Sequence, residues 1–352
     1  MAARLAQHGR ANEVLVLDRY RFPRDKPCGG GLTGHVDDAM EELGLALDVP
    51  HISAHDARVR FAGFERSVTL GKPVNVIRRE EFDTSLVAQV RGRGIEVVEG
   101  EGVVGYLDTG NGLVVTTSTG REIECDVLVG ADGAASVVRK QLVGKSGEIP
   151  HRLFKLEMTV PAGSHQDQAM LYDFSLMARG LRGYSWVFPV PGNRYNVGLM
   201  HYPAADLRLG GKALTELLRI GMGDIGLEIP ERGARGWPVW GYDPKKPVHR
   251  SRVLTVGDAA GIDGLTGEGI AIAMEQAVLA GDAIEHGLVT GDLSFSSYPR
   301  ALRKSVVGRE LNLDRRLAAM LYGGKRWRDW LSLILFDHDM LQFYAARVDG
   351  SE

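Results

Sequence analysis

Three separated stretches of the chain repeat one pattern, a short apolar strand followed by a turn that carries a carboxylate. They are VLVLD ending at Asp18, VLVGADG with Asp132 and Gly133, and VLTVGDAAG with Gly257 and Asp258. A carboxylate at the end of a parallel strand can accept hydrogen bonds from ribose or ribityl hydroxyls, and glycine lets the backbone approach a pyrophosphate. One such stretch is weak evidence, because most acids after strands only cap the next helix. Three in this order predict an α/β fold of the Rossmann-like, dinucleotide-binding type.

Composition excludes several other classes of protein. The chain has 352 residues and a net charge of −3, which gives no basic face for nucleic acid. Two cysteines exclude a disulfide framework and a zinc cluster, and we expect no metal site. No apolar run reaches the roughly 18 residues of a membrane span. We therefore expect a cytoplasmic protein, soluble or peripherally associated with a membrane.

The pattern of strands and helices predicts a split nucleotide-binding domain. Helices are expected at 36–43, 79–91, 213–220 and 267–285, a strand at 95–98 and an antiparallel meander over 103–129. Aromatic and alternating runs between residues 151 and 249 predict a second sheet. We assign residues 1–50, 75–150 and 250–295 to the nucleotide-binding domain, 51–74 and 151–249 to an inserted, mostly β (α+β) substrate domain, and 296–352 to a helical C-terminal region.

The opening stretch MAARLAQHG reads as the last turns of a helix that precedes the strand ending at Asp18. In the dinucleotide fingerprint the ribose-binding acid follows G-x-G-x-x-G by about 20 residues. Counting back from Asp18 puts that motif at or before residue 1. We therefore expect Met1 to be an internal methionine or a misplaced start, with the first strand and phosphate loop upstream. A chain without them should bind its cofactor poorly.

The set of motifs resembles the flavoprotein monooxygenase-type FAD fold and, within it, the geranylgeranyl reductase-like flavoproteins. The resemblance covers nearly the whole chain. It includes an Arg-x-x-Phe-Asp pattern, met here by Arg79, Phe82 and Asp83. Within the family, the arginine of this pattern lies beside the pyrophosphate and ribityl region of the flavin.

The resemblance implies FAD as cofactor and assigns further residues to it. Asp18 corresponds to the acid that binds the adenosine ribose, the Asp132 motif to pyridine nucleotide and FAD contacts, and Asp258 to the ribityl chain. The full set of cofactor-binding candidates is Asp18, Gly29, Gly30, Arg79, Val103, Asp132, Gly133, Gly257, Asp258, Gly267, Gly269 and Ile270.

The segment GLTGEGI gives the strongest single argument from local physics. A helix that begins near Gly267 and Gly269 would direct its N-terminal N–H groups at the N1–C2=O edge of a flavin. The positive end of its dipole favours the anionic reduced flavin. A helix cap alone explains one glycine and not the cluster. The family commonly has proline where Gly264 stands.

The run Cys28-Gly29-Gly30-Gly31 resembles the reductase branch of the family. Three consecutive glycines cost chain entropy, so a ligand or a close backbone approach is needed to explain them. By resemblance, this segment lies over the flavin and Cys28 is the candidate catalytic residue. The competing interpretation is a small buried cysteine without a role in the reaction. Cys125, in the last strand of the meander, is expected only to pack.

The stretch YSWVFP matches the branch's Tyr-x-Trp-x-Phe-Pro signature. Alternation puts Tyr184, Trp186 and Phe188 on one face of a strand, and we predict that they form a wall for a long apolar substrate. Such rows are more often part of a core than of a pocket, and the resemblance favours the pocket. The signature departs from the family at Leu181, where a proline is usual, and at Met200, where a glycine is usual.

The apolar C-terminal stretch WRDWLSLILFDHDMLQFY is predicted to form helices. We expect these helices to cap the substrate domain, although the stretch is also compatible with contact at a membrane interface.

Together these features predict an FAD-dependent oxidoreductase that reduces isolated carbon–carbon double bonds of prenyl chains. The expected electron donor is NAD(P)H or a ferredoxin-like protein. The prenyl substrate stays open among a lipid ether, a quinone tail, a chlorophyll side chain and a carotenoid. The alternatives are an FAD-dependent monooxygenase or halogenase, an electron-transfer flavoprotein, and an FAD-free remnant of the fold.

Overall fold

The computed structural model describes residues 1–144, 152–161, 168–202 and 209–350. The first half of the chain contains α1 (Ala2–Gln7), β1 (Leu15–Asp18), β2 (Gly31–Leu32), α2 (Gly34–Glu42), β3 (His51–Phe61), β4 (Phe64–Ile77), α3 (Arg79–Arg91), β5 (Glu96–Glu99), β6 (Val103–Asp108), β7 (Leu113–Thr117), β8 (Glu122–Cys125), β9 (Leu128–Gly130) and α4 (Val137–Val143). The second half contains β10 (Arg152–Pro161), β11 (Met170–Asp173), β12 (Ser185–Val190), β13 (Arg194–His201), α5 (Gly211–Gly223), β14 (Arg235–Trp240), β15 (His249–Arg250), β16 (Val253–Thr255), α6 (Ile270–Thr290), α7 (Tyr298–Lys304), α8 (Val306–Gly323), α9 (Trp327–Phe336) and α10 (His338–Asp349).

Two pairs of parallel strands carry the three acidic turns. β1 pairs with β5, with Leu15 opposite Glu96, and β9 pairs with β16, with Val129 opposite Leu254. Within the described residues the two pairs belong to separate sheets. Each acidic turn follows the carboxyl end of β1, β9 or β16, the edge at which α/β sheets bind ligands. The α/β class predicted from these turns is confirmed.

The predicted meander is also present. β6, β7 and β8 form an antiparallel sheet in that order. Its turns use Gly110 and Gly120, which have φ angles of +86° and +83° that side-chain-bearing residues rarely adopt. One face of the meander packs against α4, where Leu113 meets Val138 and Leu142 in a small core.

Within the described residues the second sheet has eight strands, in the order β14-β10-β13-β12-β11-β3-β4-β2. A parallel pairing between β11 and β3, with Leu171 opposite Arg58, joins the strands from the two parts of the chain. The sheet extends past the predicted boundary at residue 74, because β2 and residues 75–77 of β4 belong to it. The division into domains itself stays a prediction.

Alternation along β12 separates two hydrophobic layers. Val187 faces α5, where it packs with Leu214 and Leu218. Trp186 points to the opposite face, into the core that also contains Leu331 of α9. The sheet is therefore covered by α5 on one side and by the C-terminal helices on the other.

The long helices agree with the sequence with modest shifts at their ends. α3 has the predicted bounds, whereas α6 begins at Ile270 and continues past the expected end to Thr290. Gly291, with φ of +77°, ends it as a left-handed C-terminal cap. Helices α7 to α10 make the C-terminal region helical, as expected. Within the described residues no helix combines the length and apolarity needed to cross a membrane.

Candidate functional site

The glycine run after Cys28 fills a narrow gap between β4 and β12. Gly30 has a φ of +81°, and a Cβ there would lie 2.3 Å from the carbonyl oxygen of Ile77. A Cβ on Gly29 would lie 2.9 Å from the ring of Phe188. Both positions therefore require glycine for close contacts within the protein. The same packing fixes Cys28, whose Sγ lies 3.5 Å from the N–H nitrogen of Gly30.

The Cys28 thiol lies among cationic side chains. It contacts the guanidinium of Arg79, whose Nε and Nη2 each donate to Asp83 at 2.8 Å. Burial alone would lower the pKa of Arg79, but the charge of Asp83 opposes burial and the pKa is raised. The Lys26 ammonium lies 3.7 Å from Asp258, and burial lowers the pKa of Lys26 in spite of that carboxylate. Positive charge is thus concentrated next to the third acidic turn.

The first acidic turn lies next to the start of the meander. The Asp18 carboxylate accepts a hydrogen bond from the Tyr20 N–H at 2.8 Å. The Asp18 carbonyl accepts one from the Glu101 N–H at 3.0 Å, two residues before Val103 begins β6. Asp18 and Val103, which are 85 positions apart in sequence, therefore belong to one corner of the fold.

The second acidic turn has a structural role. Asp132 accepts a hydrogen bond from the Val137 N–H at 2.7 Å and so caps the first turn of α4. Gly133 follows with a φ of +74°. Asp132 therefore acts as a helix cap in this structure, which is the alternative to ligand binding. Its assignment to the cofactor stays a prediction.

The third acidic turn and the N-terminus of α6 form one surface. Gly257 and Gly267 have φ angles of +60° and +75°, and Gly269 is the residue before the first turn of α6 at Ile270. A Cβ on Gly269 would lie 3.5 Å from Oδ1 of Asp258. The structure thus brings together the two segments that the sequence assigns to the flavin. The positive end of the α6 dipole is directed at this surface.

These residues fit FAD. The pyrophosphate of a dinucleotide is anionic, and Arg79, Lys26 and the N-terminal end of α6 all favour negative charge. A Cβ on Gly269 would lie 3.0 Å from Cδ1 of Ile262, so glycine at this position keeps the backbone before α6 close to Asp258. Groups on α3, on α6 and in the turn after β16 are therefore the candidates to hold the phosphate and ribityl portions.

The predicted aromatic residues form a continuous buried row. Ring centroids are 6.1 Å apart for Tyr184 and Trp186, and 6.2 Å apart for Trp186 and Phe188. The indole N–H of Trp186 donates to Asn196 at 2.7 Å, and the Asn196 amide donates to the carbonyl of Cys28 at 3.2 Å. Trp186 and Phe188 lie against the glycine run, whereas Tyr184 reaches an apolar cavity.

This apolar cavity lies between the eight-stranded sheet and the C-terminal helices. It encloses about 750 Å³, open space at its mouth included. The Tyr172 ring connects it to the glycine run, because its centroid lies 5.1 Å from that of Phe188. The described lining is aliphatic and aromatic except for Thr266, and includes Val59, Val68, Tyr184, Leu331, Ile334 and Leu341.

A second cavity encloses about 560 Å³, open space included, and is rich in carboxyl groups. It shares Leu265, Thr266 and Tyr344 with the apolar cavity. The Thr33 hydroxyl donates to Glu268 at 2.6 Å. Burial raises the pKa of Glu268 to about 8 and that of Glu275 to about 7. Burial and neighbouring carboxylates raise the pKa of Asp314 to about 8, against the opposing effect of a nearby arginine. The protonated forms of these carboxyl groups are therefore favoured in this acidic cavity.

Sequence reasoning missed both the acidic cavity and the contribution of the C-terminal helices to the apolar one. Glu268 lies inside the TGEG cluster, beside a helix N-terminus that favours a negative charge. Its position in the sequence could therefore have indicated an acidic group at this site. No local signal indicates that Leu331 and Tyr344 would line the same cavity as Tyr184. That contact depends on how α9 and α10 fold back over the sheet.

Comparisons with known proteins agree with this geometry. The family model described as "FAD binding domain" matches residues 1–291. The chain is 29% identical over 344 residues to a menaquinone reductase of Mycolicibacterium smegmatis, with 91% of this chain and 81% of the relative covered. It is 30% identical over 328 residues to digeranylgeranylglycerophospholipid reductase 2 of Methanothermobacter thermautotrophicus, covering 88% and 82% respectively.

Solved structures show the same fold at lower identity. A geranylgeranyl bacteriochlorophyll reductase-like protein of Thermoplasma acidophilum has a TM-score of 0.73 and 18% identity, covering 99% of this chain and 88% of its own. A probable FAD-dependent monooxygenase of Pseudomonas aeruginosa has a TM-score of 0.67 and 20% identity, covering 96% and 95%. The motifs, the family match and the relatives agree: this chain belongs to the geranylgeranyl reductase-like family of FAD-dependent oxidoreductases.

Proposed function

We propose that the protein saturates isolated carbon–carbon double bonds of a prenyl chain bound in the apolar cavity. The observation that supports this most directly is the lining of that cavity, which offers hydrocarbon surface from the sheet and the C-terminal helices. A long apolar chain gains free energy from such burial at roughly 25 cal/mol per Å². One relative is named for a digeranylgeranyl lipid, which fits the same chemistry.

The reaction adds two hydrogens across the double bond. FAD bound in its reduced form would provide the hydride for one carbon of the alkene, and a proton would have to reach the other carbon. The protein's part is to hold the alkene in a dry pocket with the reacting atoms aligned. Tyr184 helps to close that pocket. Burial raises its pKa well above the usual value, so its hydroxyl stays protonated and donates to the carbonyl of Thr266.

Cys28 is the proposed proton donor to the second carbon. Its loop contacts Phe188, which contacts Tyr172 at the wall of the apolar cavity. Transfer of the thiol proton leaves a thiolate, and the adjacent Arg79 guanidinium can stabilise that charge. The thiolate then takes up a proton from solvent before the next turnover.

NAD(P)H or a ferredoxin-like protein is the proposed source of electrons. The two can be distinguished by mixing the FAD-loaded protein with each donor under anaerobic conditions and following the loss of flavin absorbance. The donor that reduces the flavin at a rate at least equal to steady-state turnover is the physiological class.

The substrate assignment can be tested without knowing the donor. FAD-loaded protein is reduced chemically with dithionite and incubated anaerobically with geranylgeraniol, and the products are examined by mass spectrometry. We expect a gain of two hydrogens per reduced bond. Reduced protein that leaves every double bond intact would contradict the proposal. Oxygen incorporated into the product on aerobic incubation would favour a monooxygenase instead.

A further inference from the structure

Exposed positive charge is concentrated at the start of the C-terminal helices. Residues 300–328, all of them described, contain nine exposed lysine and arginine side chains in a protein whose net charge is −3. The two acids of this segment, Glu310 and Asp314, line the acidic cavity. The outer surface of α7, α8 and the turn before α9 is therefore basic.

Apolar side chains are exposed on the same face of α8. Val306, Arg309, Leu313, Arg316 and Met320 recur at three- and four-residue intervals, so they form one stripe along the helix. All five are exposed, and the apolar ones alternate with arginines. A helix face of this composition is typical of binding at a lipid interface.

Helix α9 also carries exposed apolar side chains. Trp330, Leu333 and Phe336 recur every three residues, and Leu333 and Phe336 are 44% and 49% exposed. The ring of Phe336 packs edge-on against Phe64, which is itself 57% exposed, with centroids 5.2 Å apart. These large side chains contribute little to the core. Leu331 and Leu335 are the residues through which the same helix packs against it.

Helix α9 also forms part of the wall of the apolar cavity. Leu331 and Ile334 line the cavity, and each directly follows an exposed member of the outer surface, Trp330 or Leu333. A prenyl chain leaving a bilayer at this helix would reach the cavity along apolar side chains, without full exposure to water.

We propose that the α8–α9 surface, formed by Arg309, Leu313, Arg316, Met320, Trp330, Leu333 and Phe336, docks on an anionic lipid bilayer. This inference rests on the proposed function, since it places the cavity entrance at the bilayer from which a prenyl substrate is taken. Basic side chains attract anionic headgroups, and the interspersed apolar side chains enter the headgroup region. An acidic protein partner would satisfy the arginines but would leave no reason for their alternation with exposed leucine and methionine.

The test uses the full chain and sedimentation with vesicles that contain no prenyl compound. Vesicles of phosphatidylcholine alone are compared with vesicles that also contain phosphatidylglycerol. We expect binding to the anionic vesicles that weakens as salt is raised, because salt screens the basic surface. Since no substrate is present, the result is independent of whether the protein reduces prenyl chains.

Charge reversal tests the electrostatic part. Arg309→Glu combined with Arg316→Glu should weaken binding to anionic vesicles at least tenfold, since each basic side chain near such a surface contributes about fivefold. The matched control combines Lys212→Glu with Arg219→Glu on the exposed side of α5, and should bind as the wild type does. Equal loss in both double variants would overturn the proposal, because net charge alone would then explain binding.

Removal of apolar side chains tests insertion. Leu333→Ser with Phe336→Ser should weaken binding at least tenfold, whereas Leu107→Ser with Val289→Ser removes apolar groups elsewhere that are even more exposed and should not. Wild-type protein that fails to sediment with anionic vesicles would overturn the proposal. A second result would also overturn it: no vesicle binding by the wild type, together with loss of electron transfer from an acidic donor protein in the Arg309 and Arg316 variant. That result would assign the surface to a protein partner.

Discussion

Substitution of Glu268 by glutamine tests the inference that the acidic cavity favours protonated carboxyl groups. Burial, with a smaller contribution from the neighbouring Asp263 and Glu275, raises the pKa of Glu268 from 4.5 to about 8, although the Thr33 hydrogen bond opposes the shift. Between these two values the native carboxyl keeps a proton that the unfolded chain has released. The free energy of unfolding therefore falls as pH rises through this window.

The size of the effect follows from the shift. At about 1.4 kcal/mol per pKa unit, a shift from 4.5 to about 8 corresponds to about 5 kcal/mol over the whole window. Glu268 keeps some contact with solvent, so this figure is an upper limit. Between pH 6 and pH 7 we expect Glu268 to account for a fall of about 1 kcal/mol. The amide introduced by Glu268→Gln does not titrate and can still accept the Thr33 hydroxyl, so the variant should lack that fall.

The assay is urea unfolding of both proteins at pH 6 and pH 7, followed by tryptophan fluorescence. Contributions shared by both proteins, such as those of Glu275 and Asp314, cancel in the difference between them. Glu216→Gln on α5 is the control, because Glu216 is exposed and pairs only at the surface with Arg219. If Glu268→Gln showed the same change between the two pH values as the wild type, Glu268 would be ionised in the native protein and the reasoning would be wrong.

Three further predictions address the glycine run and its neighbours. Gly30→Ala should lower the free energy of unfolding by more than about 3 kcal/mol, whereas Gly110→Ala, with a similar φ but open space around it, should cost only the ~1–2 kcal/mol of a left-handed backbone; urea unfolding measures both. Cys28→Ser should slow prenyl reduction at least tenfold while Cys125→Ser leaves it unchanged, as measured by product formation with dithionite-reduced enzyme. Arg79→Lys keeps the charge but loses the two-point contact with its carboxylate, so FAD should dissociate at least tenfold more readily in a flavin fluorescence titration.

Much of the fold could be predicted because its signals are local. The alternating and apolar runs that form β6 to β9 and β16 are bounded by glycine turns, and the face of α3 that carries Phe82 is apolar at helical spacing. The observed ends of helices differ from the predicted ends by a few residues where more than one residue could serve as the helix cap. At α2, for example, Thr33 rather than a later residue precedes the helix.

The remaining features depend on contacts between distant segments. Nothing near Leu171 indicates that β11 pairs in parallel with β3, because either neighbour would satisfy the same β pattern. The same holds for the apolar cavity, which exists only because α9 brings Leu331 over the sheet face that carries Tyr184. For the aromatic row, the sequence predicted a shared face correctly but could not show that Phe188 would be covered by Gly29.

The position of Cys28 follows from strand register. β2 pairs antiparallel to β4, with Gly31 opposite Val76, and the Ile77 N–H donates to the Gly30 carbonyl at 2.9 Å. Cys28 lies two residues before Gly30, and Arg79 lies two residues after Ile77 at the start of α3.

The pairing at the end of the sheet therefore brings together the two segments that carry the thiol and the guanidinium. It also connects the two parts of the proposed reaction. Arg79 begins the helix assigned to the flavin pyrophosphate, and Cys28 ends the loop that covers the aromatic row. Glycine at positions 29 and 30 is what lets this loop approach closely enough for the two to meet. The main role of the glycine run is thus to position the thiol, and this role does not depend on contact with the flavin.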